Sequence, residues 1–243
     1  VTILHINDLH SRFEPINKSN ATCDAEDDAA GECFGGAARL VTAINEARDN
    51  AVHPVLLLDG GDQFQGSLFY TEYKGKAAAE IMNVIGFDAM AVGNHEFDNG
   101  PEVLKSFLDA VNLPVLMANA ELSAQSVLQG AAPASTVLEA GGKRYGVIGV
   151  TPENNAALAA PGPHITFTDP VPAIRAAVAD LKADGIDRVI VLSHSGLSVD
   201  KRIAAETADI DLIVGGHSHT LLSNTHEDAK GPYPTMVEGP DGH

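Results

Sequence analysis

Short apolar runs alternate along this chain with segments of helical spacing, and most of the runs end abruptly in polar residues. Residues 1–7 read as a strand that closes on Asp8-Leu9-His10-Ser11-Arg12. Leu40, Val41, Ile44 and Ala47 give residues 36–49 the spacing of an amphipathic helix. Residues 54–58 are too short and too apolar for a helix and fit a strand buried on both faces. They run straight into Asp59-Gly60-Gly61-Asp62. A second helix is predicted over 74–85, closed by Gly86. A strand over 88–92 leads into Gly93-Asn94-His95-Glu96-Phe97-Asp98. Asn99-Gly100-Pro101 then opens a helix reaching residue 111, with proline near the first helical position.

The second half repeats the alternation. Residues 115–118 form a strand meeting Asn119. Residues 136–140 and 144–150 flank Gly141-Gly142-Lys143 and predict a hairpin; the Gly-Gly-Lys lacks the spacing of a phosphate-binding loop. A helix over 171–183 precedes a strand over 188–192 that ends at Ser193-His194-Ser195-Gly196. A short helix over 200–207 precedes a strand over 211–214, which ends at Gly215-Gly216-His217-Ser218-His219. Beyond Leu221 the chain is polar and rich in Pro and Gly, with one short strand expected at 235–237. Strands alternating with helices imply an α/β fold of mostly parallel pairing, with antiparallel character from the hairpin. There is no internal repeat and no linker, so residues 1–243 are expected to form a single domain.

Composition narrows the class. Apolar residues make up 44% of the 243, enough for a sizeable core, and none of the apolar runs approaches the ~18 residues of a membrane span. The formal charge of −18 repels nucleic-acid phosphates, so a nucleic-acid partner is not expected. It equally opposes a small anionic substrate, unless the site concentrates positive charge of its own; metal ions are the obvious source. Cys23 and Cys33 bracket a polar, acidic stretch and read as a disulfide of an oxidising compartment, with two free thiols as the alternative. The chain opens on a strand rather than a leader peptide, so export would require a leader already removed. Oligomeric state leaves no mark in the sequence.

The chemistry-bearing residues fall just beyond strand ends: Asp8 and His10, Asp62, Asn94 and His95, His194, then His217 and His219. In a parallel sheet such ends converge on one edge. Eight ligand-type side chains exceed the needs of one ion and suit two adjacent divalent cations sharing a carboxylate. Asp59 stands nearer its strand than Asp62 and competes for the ligand role, although a structural hydrogen-bonding role is favoured for it. His5, His53, His164, His226 and His243 lie outside the pattern.

Asp8-x-His10, Gly61-Asp62, Gly93-Asn94-His95-Glu96, Ser193-His194 and Gly216-His217-x-His219 resemble, in this order, the signature blocks of calcineurin-like metallophosphoesterases. The longer strings over 7–11, 61–66 and 93–100 resemble the 5′-nucleotidase branch. The resemblance implies a four-layer αββα sandwich with mixed sheets. It also implies two divalent ions (Zn, Mn, Fe or Co), with Asp8, His10 and His219 holding one and Asn94, His194 and His217 the other, bridged by Asp62. His95, paired with Asp98, would face the phosphate, and Arg12 either touches phosphate or lies on the surface. The implied substrate is a small phosphate ester, a nucleoside monophosphate, hydrolysed in the periplasm or outside the cell. Hydrolysis of 2′,3′-cyclic nucleotides or nucleotide sugars, and metal binding without catalysis, are the alternatives. The nucleoside-binding C-terminal domain of that branch is expected to be missing from this chain, which ends in a turn-like Pro240-Asp241-Gly242-His243.

Overall fold

Val55–Asp59 is buried because its alternate side chains enter two different cores. Leu57 packs with Ile44, Met82 and Phe107 of the flanking helices, whereas Leu56 and Leu58 face Val147, Ile190 and Leu192 of a second sheet. Each of these leucines is at most 2% exposed and contributes about 1.5–3 kcal/mol by burial. The computed structural model of the chain describes residues 1–240 and 242.

In chain order the first half comprises β1 (Thr2–Ile6), β2 (Ile16–Asn17), α1 (Ala25–Ala29), β3 (Cys33–Phe34), α2 (Ala37–Asp49), β4 (Val55–Asp59), α3 (Leu68–Tyr73), α4 (Gly75–Ile85) and β5 (Ala89–Ala91). A 3₁₀ turn over His95–Phe97 precedes α5 (Pro101–Leu108), β6 (Val115–Leu116) and β7 (Ala120–Leu122). The second half comprises β8 (Ser135–Ala140), β9 (Lys143–Val150), α6 (Asn155–Leu158), β10 (Ile165–Phe167), α7 (Pro170–Ala183), β11 (Val189–Ser193), α8 (Leu197–Glu206) and β12 (Leu212–Gly215).

Sheet one has the order β1-β4-β5-β6 and is parallel throughout. Sheet two has the order β12-β11-β9-β8, in which only β8 runs antiparallel. One core lies between sheet one and α2, α4 and α5, a second between the sheets, and a third between sheet two and α7 and α8. The architecture is therefore α/β/β/α in four layers, as the resemblance implies. The sheets approach so closely at Gly149 that a Cβ there would lie 2.4 Å from the Cβ of Leu116, and the Ala118 N–H donates to the Gly149 carbonyl. Only glycine fits that contact.

Cys23 and Cys33 form a disulfide, with Cα atoms 5.7 Å apart, beside the β2–β3 ribbon. The strand expected at 235–237 does not form; Met236 is 84% exposed, and this segment has no neighbouring strand to pair with among the described residues. The tail is held instead by side chains: Tyr233 Oη lies 3.3 Å from His5 Nε2 on β1. Helix α5 stops at Leu108 and α8 begins at Leu197, three residues earlier than expected. The antiparallel β7–β10 ribbon and the short α3 carry too few residues for a periodicity to show. Asp241 and His243, and with them the turn expected at the chain's end, lie outside the described residues.

Candidate active site

The loops after β1 and β4 continue side by side beyond their strands. The Gly60 N–H donates to the Ile6 carbonyl, Asp8 N–H to Gly61, His10 N–H to Asp62 and Ser11 N–H to Gln63. This irregular ladder swings Asp8, His10 and Asp62 inward. The backbone is tense there: Asp8 (φ 53°), His10 (51°), Asp62 (58°), His217 (71°) and His219 (47°) all occupy the left-handed region that non-glycine residues avoid. Such torsions concentrate where surrounding contacts over-determine them for a purpose.

Five loops meet at one place. His219 Nε2 lies 3.1 Å from Asp8 Oδ1 and 3.3 Å from His10 Nε2, and His10 Nε2 lies 3.8 Å from Asp8 Oδ1. Alongside, His194 Nε2 lies 3.0 Å from Asp62 Oδ2, and the His194 and His217 rings are 5.2 Å apart. Asp8, His10 and His219 thus form one group with the spacing of a metal site, and Asp62, His194 and His217 form another. Asp62 joins the two, since its Oδ2 also lies 3.9 Å from His10 Nε2. A third grouping of His10, Asp62 and His95 overlaps both. The spacing of Cys23, Asp28 and Cys33 also allows a metal, but both sulfurs are consumed by the disulfide.

Two atoms show that these groups fit a cation. Asn94 Oδ1 is buried and has no hydrogen-bond partner, and the buried His194 Nε2 faces the Asp62 carboxylate at 3.0 Å with its second nitrogen already used. Unpaired buried polar atoms are rare and call for an explanation. The second nitrogens of two imidazoles are already fixed: His194 Nδ1 by the Gly60 carbonyl at 2.7 Å and His10 Nδ1 by the Phe64 carbonyl at 3.1 Å. Nε2 of each therefore faces the cluster and is the nitrogen left to offer a cation, the arrangement that metal-ligating histidines adopt.

The electrostatics agree. Burial lowers the pKa of both His10 and His217, favouring the neutral, ligating form. Burial also lowers that of His194, but the Asp62 and Asp8 carboxylates outweigh it and push it up to about 9. Burial raises the Asp62 carboxyl, but His194 and the His95 N–H outweigh it and hold it below the usual range.

His95 sits at the rim of this cluster, its ring 5.2 Å from that of His10. Its Nδ1 donates to Asp98 Oδ2 at 2.7 Å, a contact that raises the imidazole pKa. The His95 N–H donates to Asp62 Oδ1 at 2.9 Å, tying the His95 turn to the carboxylate that lies between the two groups. Arg12 is exposed, and among the described residues its guanidinium has no ion-pair partner.

Glu96, which sequence patterning does not single out, is fully buried and accepts backbone N–H bonds from Asp62, Gln63, Phe64 and Gly93 at 2.7–3.2 Å. The N–H groups of 62–64 have no strand or helix partner, so their need for an acceptor was the available signal. Burial, reinforced by nearby Asp62, pushes the Glu96 carboxyl up to about 7. A Cβ on Gly93 would lie 2.2 Å from Asp62 Oδ1, so glycine is required for the two loops to meet. Asp59 uses both oxygens locally, accepting from the Gly61 N–H at 2.8 Å and from Gln63 Nε2 at 2.5 Å.

A model of the calcineurin-like phosphoesterase family matches residues 1–221. The chain is 42% identical, over 99% of its own length, to the 5′-nucleotidase of Diplobatis ommata, of which it covers 42%. It is 40% identical over its full length to the 5′-nucleotidase of Bos taurus, again covering 42% of that protein. The crystal structure of a 5′-nucleotidase precursor from Thermus thermophilus superposes with a TM-score of 0.89 at 38% identity, matching all of this chain and 47% of that one. The NAD nucleotidase of Haemophilus influenzae superposes with a TM-score of 0.86 at 31% identity, matching 99% of this chain and 43% of that one. The chain thus spans less than half the length of these relatives.

Proposed function

The chain belongs to the calcineurin-like phosphoesterase family, and from that premise we propose that it is the catalytic part of a metal-dependent 5′-nucleotidase that hydrolyses nucleoside monophosphates. One observation carries the proposal: Asp8, His10 and His219 on one side, and Asp62, His194 and His217 on the other, meet beside the unpaired Asn94 Oδ1 and the His95–Asp98 pair. Asp8, His10 and His219 would hold one divalent cation, Asn94, His194 and His217 the other, with Asp62 shared. Mixed nitrogen and oxygen donors suit Zn, Mn, Fe or Co better than Ca. When bound, such a pair supplies Lewis acidity and lowers the pKa of water to about 7.

The protein's own groups do the rest. His95, whose protonated form Asp98 favours, would turn a positive edge toward the phosphoryl group, stabilise its charge and donate a proton to the leaving oxygen. Asp98 fixes the imidazole tautomer. Two dications, if bound, would outweigh the two carboxylates beside them, so the site would attract phosphate although the whole chain carries −18. Arg12 is assigned a surface role. The Cys23–Cys33 bridge favours an oxidising, periplasmic or extracellular setting. No described helix is long and apolar enough to cross a membrane.

The test is phosphate release from AMP and from p-nitrophenyl phosphate by chain loaded with Mn²⁺, Co²⁺ or Zn²⁺, alongside metal titration by calorimetry. Two cations per chain and metal-dependent release from both esters are expected. Two bound cations with no release from any phosphate ester would instead favour metal binding without catalysis.

A further inference from the structure

Asp98 Oδ2 accepts two hydrogen bonds, from His95 Nδ1 at 2.7 Å and from Gln65 Nε2 at 3.0 Å. The second donor comes from a different loop, the one that follows Asp62. Gln65 holds the left-handed backbone conformation (φ 67°), which a glutamine rarely adopts. Its amide is fixed at both ends, since Oε1 accepts from the Gly66 N–H at 3.1 Å. Gly66 in turn lies against His10, where a Cβ would come within 2.6 Å of the His10 carbonyl. The turn carrying Gln65 is therefore pinned to the backbone of the first ligand loop. The side chain itself is exposed and has no place in any core cluster.

A carboxylate that is hydrogen-bonded only to one imidazole can swing about its Cβ–Cγ bond. A second donor on the same oxygen removes that freedom. We propose that Gln65 is a positioning residue for the His95–Asp98 pair: its amide locks the Asp98 carboxylate, so that His95 presents Nε2 to the substrate in one orientation. The inference rests on the role given above to His95 and Asp98. It identifies the loop after β4 as contributing to proton delivery as well as to metal binding.

The experiment compares Gln65→Ala and the near-isosteric Gln65→Met in wild-type and Asp98→Ala backgrounds, with p-nitrophenyl phosphate as substrate and metal-loaded full chain. Loss of one hydrogen bond to a charged group should lower kcat roughly 3- to 10-fold, with KM changed less than about twofold. Both variants should lose alike, because the donor and not the volume matters. Neither should lower activity further once Asp98 is alanine. A second readout needs no turnover: in metal-free protein, the His95 Nδ1 proton observed by ¹⁵N-edited NMR should exchange faster in Gln65→Ala. An additive loss in the Asp98→Ala background, a change confined to KM, or a Met variant with wild-type kcat would overturn the proposal. If the wild-type chain hydrolyses no phosphate ester, the NMR measurement alone decides, and an unchanged His95 proton overturns the proposal.

Discussion

The backbone N–H of His217 donates to both oxygens of the Asp8 carboxylate, at 3.2 and 3.0 Å, across 209 positions of sequence. The ends of β1 and β12, edge strands of different sheets, are thereby joined before any ion is bound. The site is pre-organised, with its carboxylates already buried and its imidazoles aimed.

Asp62 should then be the most sensitive ligand, because it touches both halves of the site. Asp62→Asn keeps the size but halves the negative charge facing the cations. Calorimetric titration should show at least one of two binding events lost and the other weakened at least about tenfold. Retention of two tight cations would remove Asp62 from the bridging position.

His95→Ala should behave differently. The imidazole stands at the rim, with Nδ1 committed to Asp98. Turnover should fall about 10²- to 10⁴-fold, the range for a lost general acid, with metal content unchanged. Metal analysis of the purified variant separates a catalytic from a ligand role, and loss of metal would place His95 among the ligands.

Glu96→Gln tests the carboxylate that gathers four backbone N–H groups. An amide replaces one acceptor oxygen with a donor and sets it against those N–H groups. The variant should be destabilised by about 2–4 kcal/mol, measured by urea denaturation, and should bind metal more weakly as the loops carrying Asp62 and Asn94 separate. Wild-type stability in this variant would contradict the clasp.

Metal-free protein should lose stability as pH rises. Glu96 and Asp200, both pushed up to about 7 by burial, bind more protons folded than unfolded between about pH 4 and 7, so stability falls across that window. His194, pushed up to about 9, contributes stability below about pH 6.5 that is lost as pH rises toward 9. Asp62, held below the usual range, acts in the opposite sense below about pH 4, and His5, His10 and His217, each lowered by burial, oppose the fall below about pH 6.5 without matching the wider windows of Glu96 and Asp200. Urea midpoints should therefore fall from pH 5 to pH 9. Saturating metal should flatten the upper half of that decline, because a cation replaces the His194 proton. Asp200→Asn should flatten the lower half. Midpoints that rise with pH would show the signs to be wrong.

Much of this was legible in the text of the chain. The run at 54–58 was too short for a helix and fitted a buried strand, and the ligand-type residues could be located by looking where each strand stopped. Cys23 and Cys33 paired as their polar surroundings suggest. The misses have physical causes. The apolar spacing at 235–237 looks like a strand, but a strand needs a partner, and pairing is decided by residues far away in sequence. Glu96 was hidden because its role is defined by the unsatisfied N–H groups of a loop 32–34 residues earlier. Gln65 was hidden for the same reason: its partner, Asp98, lies 33 positions on.

The four-layer arrangement has one more consequence. Asp8, His10, Asp62 and Asn94 come from the first half of the polypeptide, and His194, His217 and His219 from the second, so neither half owns a complete set of donors. Cut at the exposed Gln129-Gly130 step, the molecule would become two complementary pieces that meet across the apolar core between the sheets and share one set of donors. The catalytic centre would then double as a clasp between two separable polypeptides.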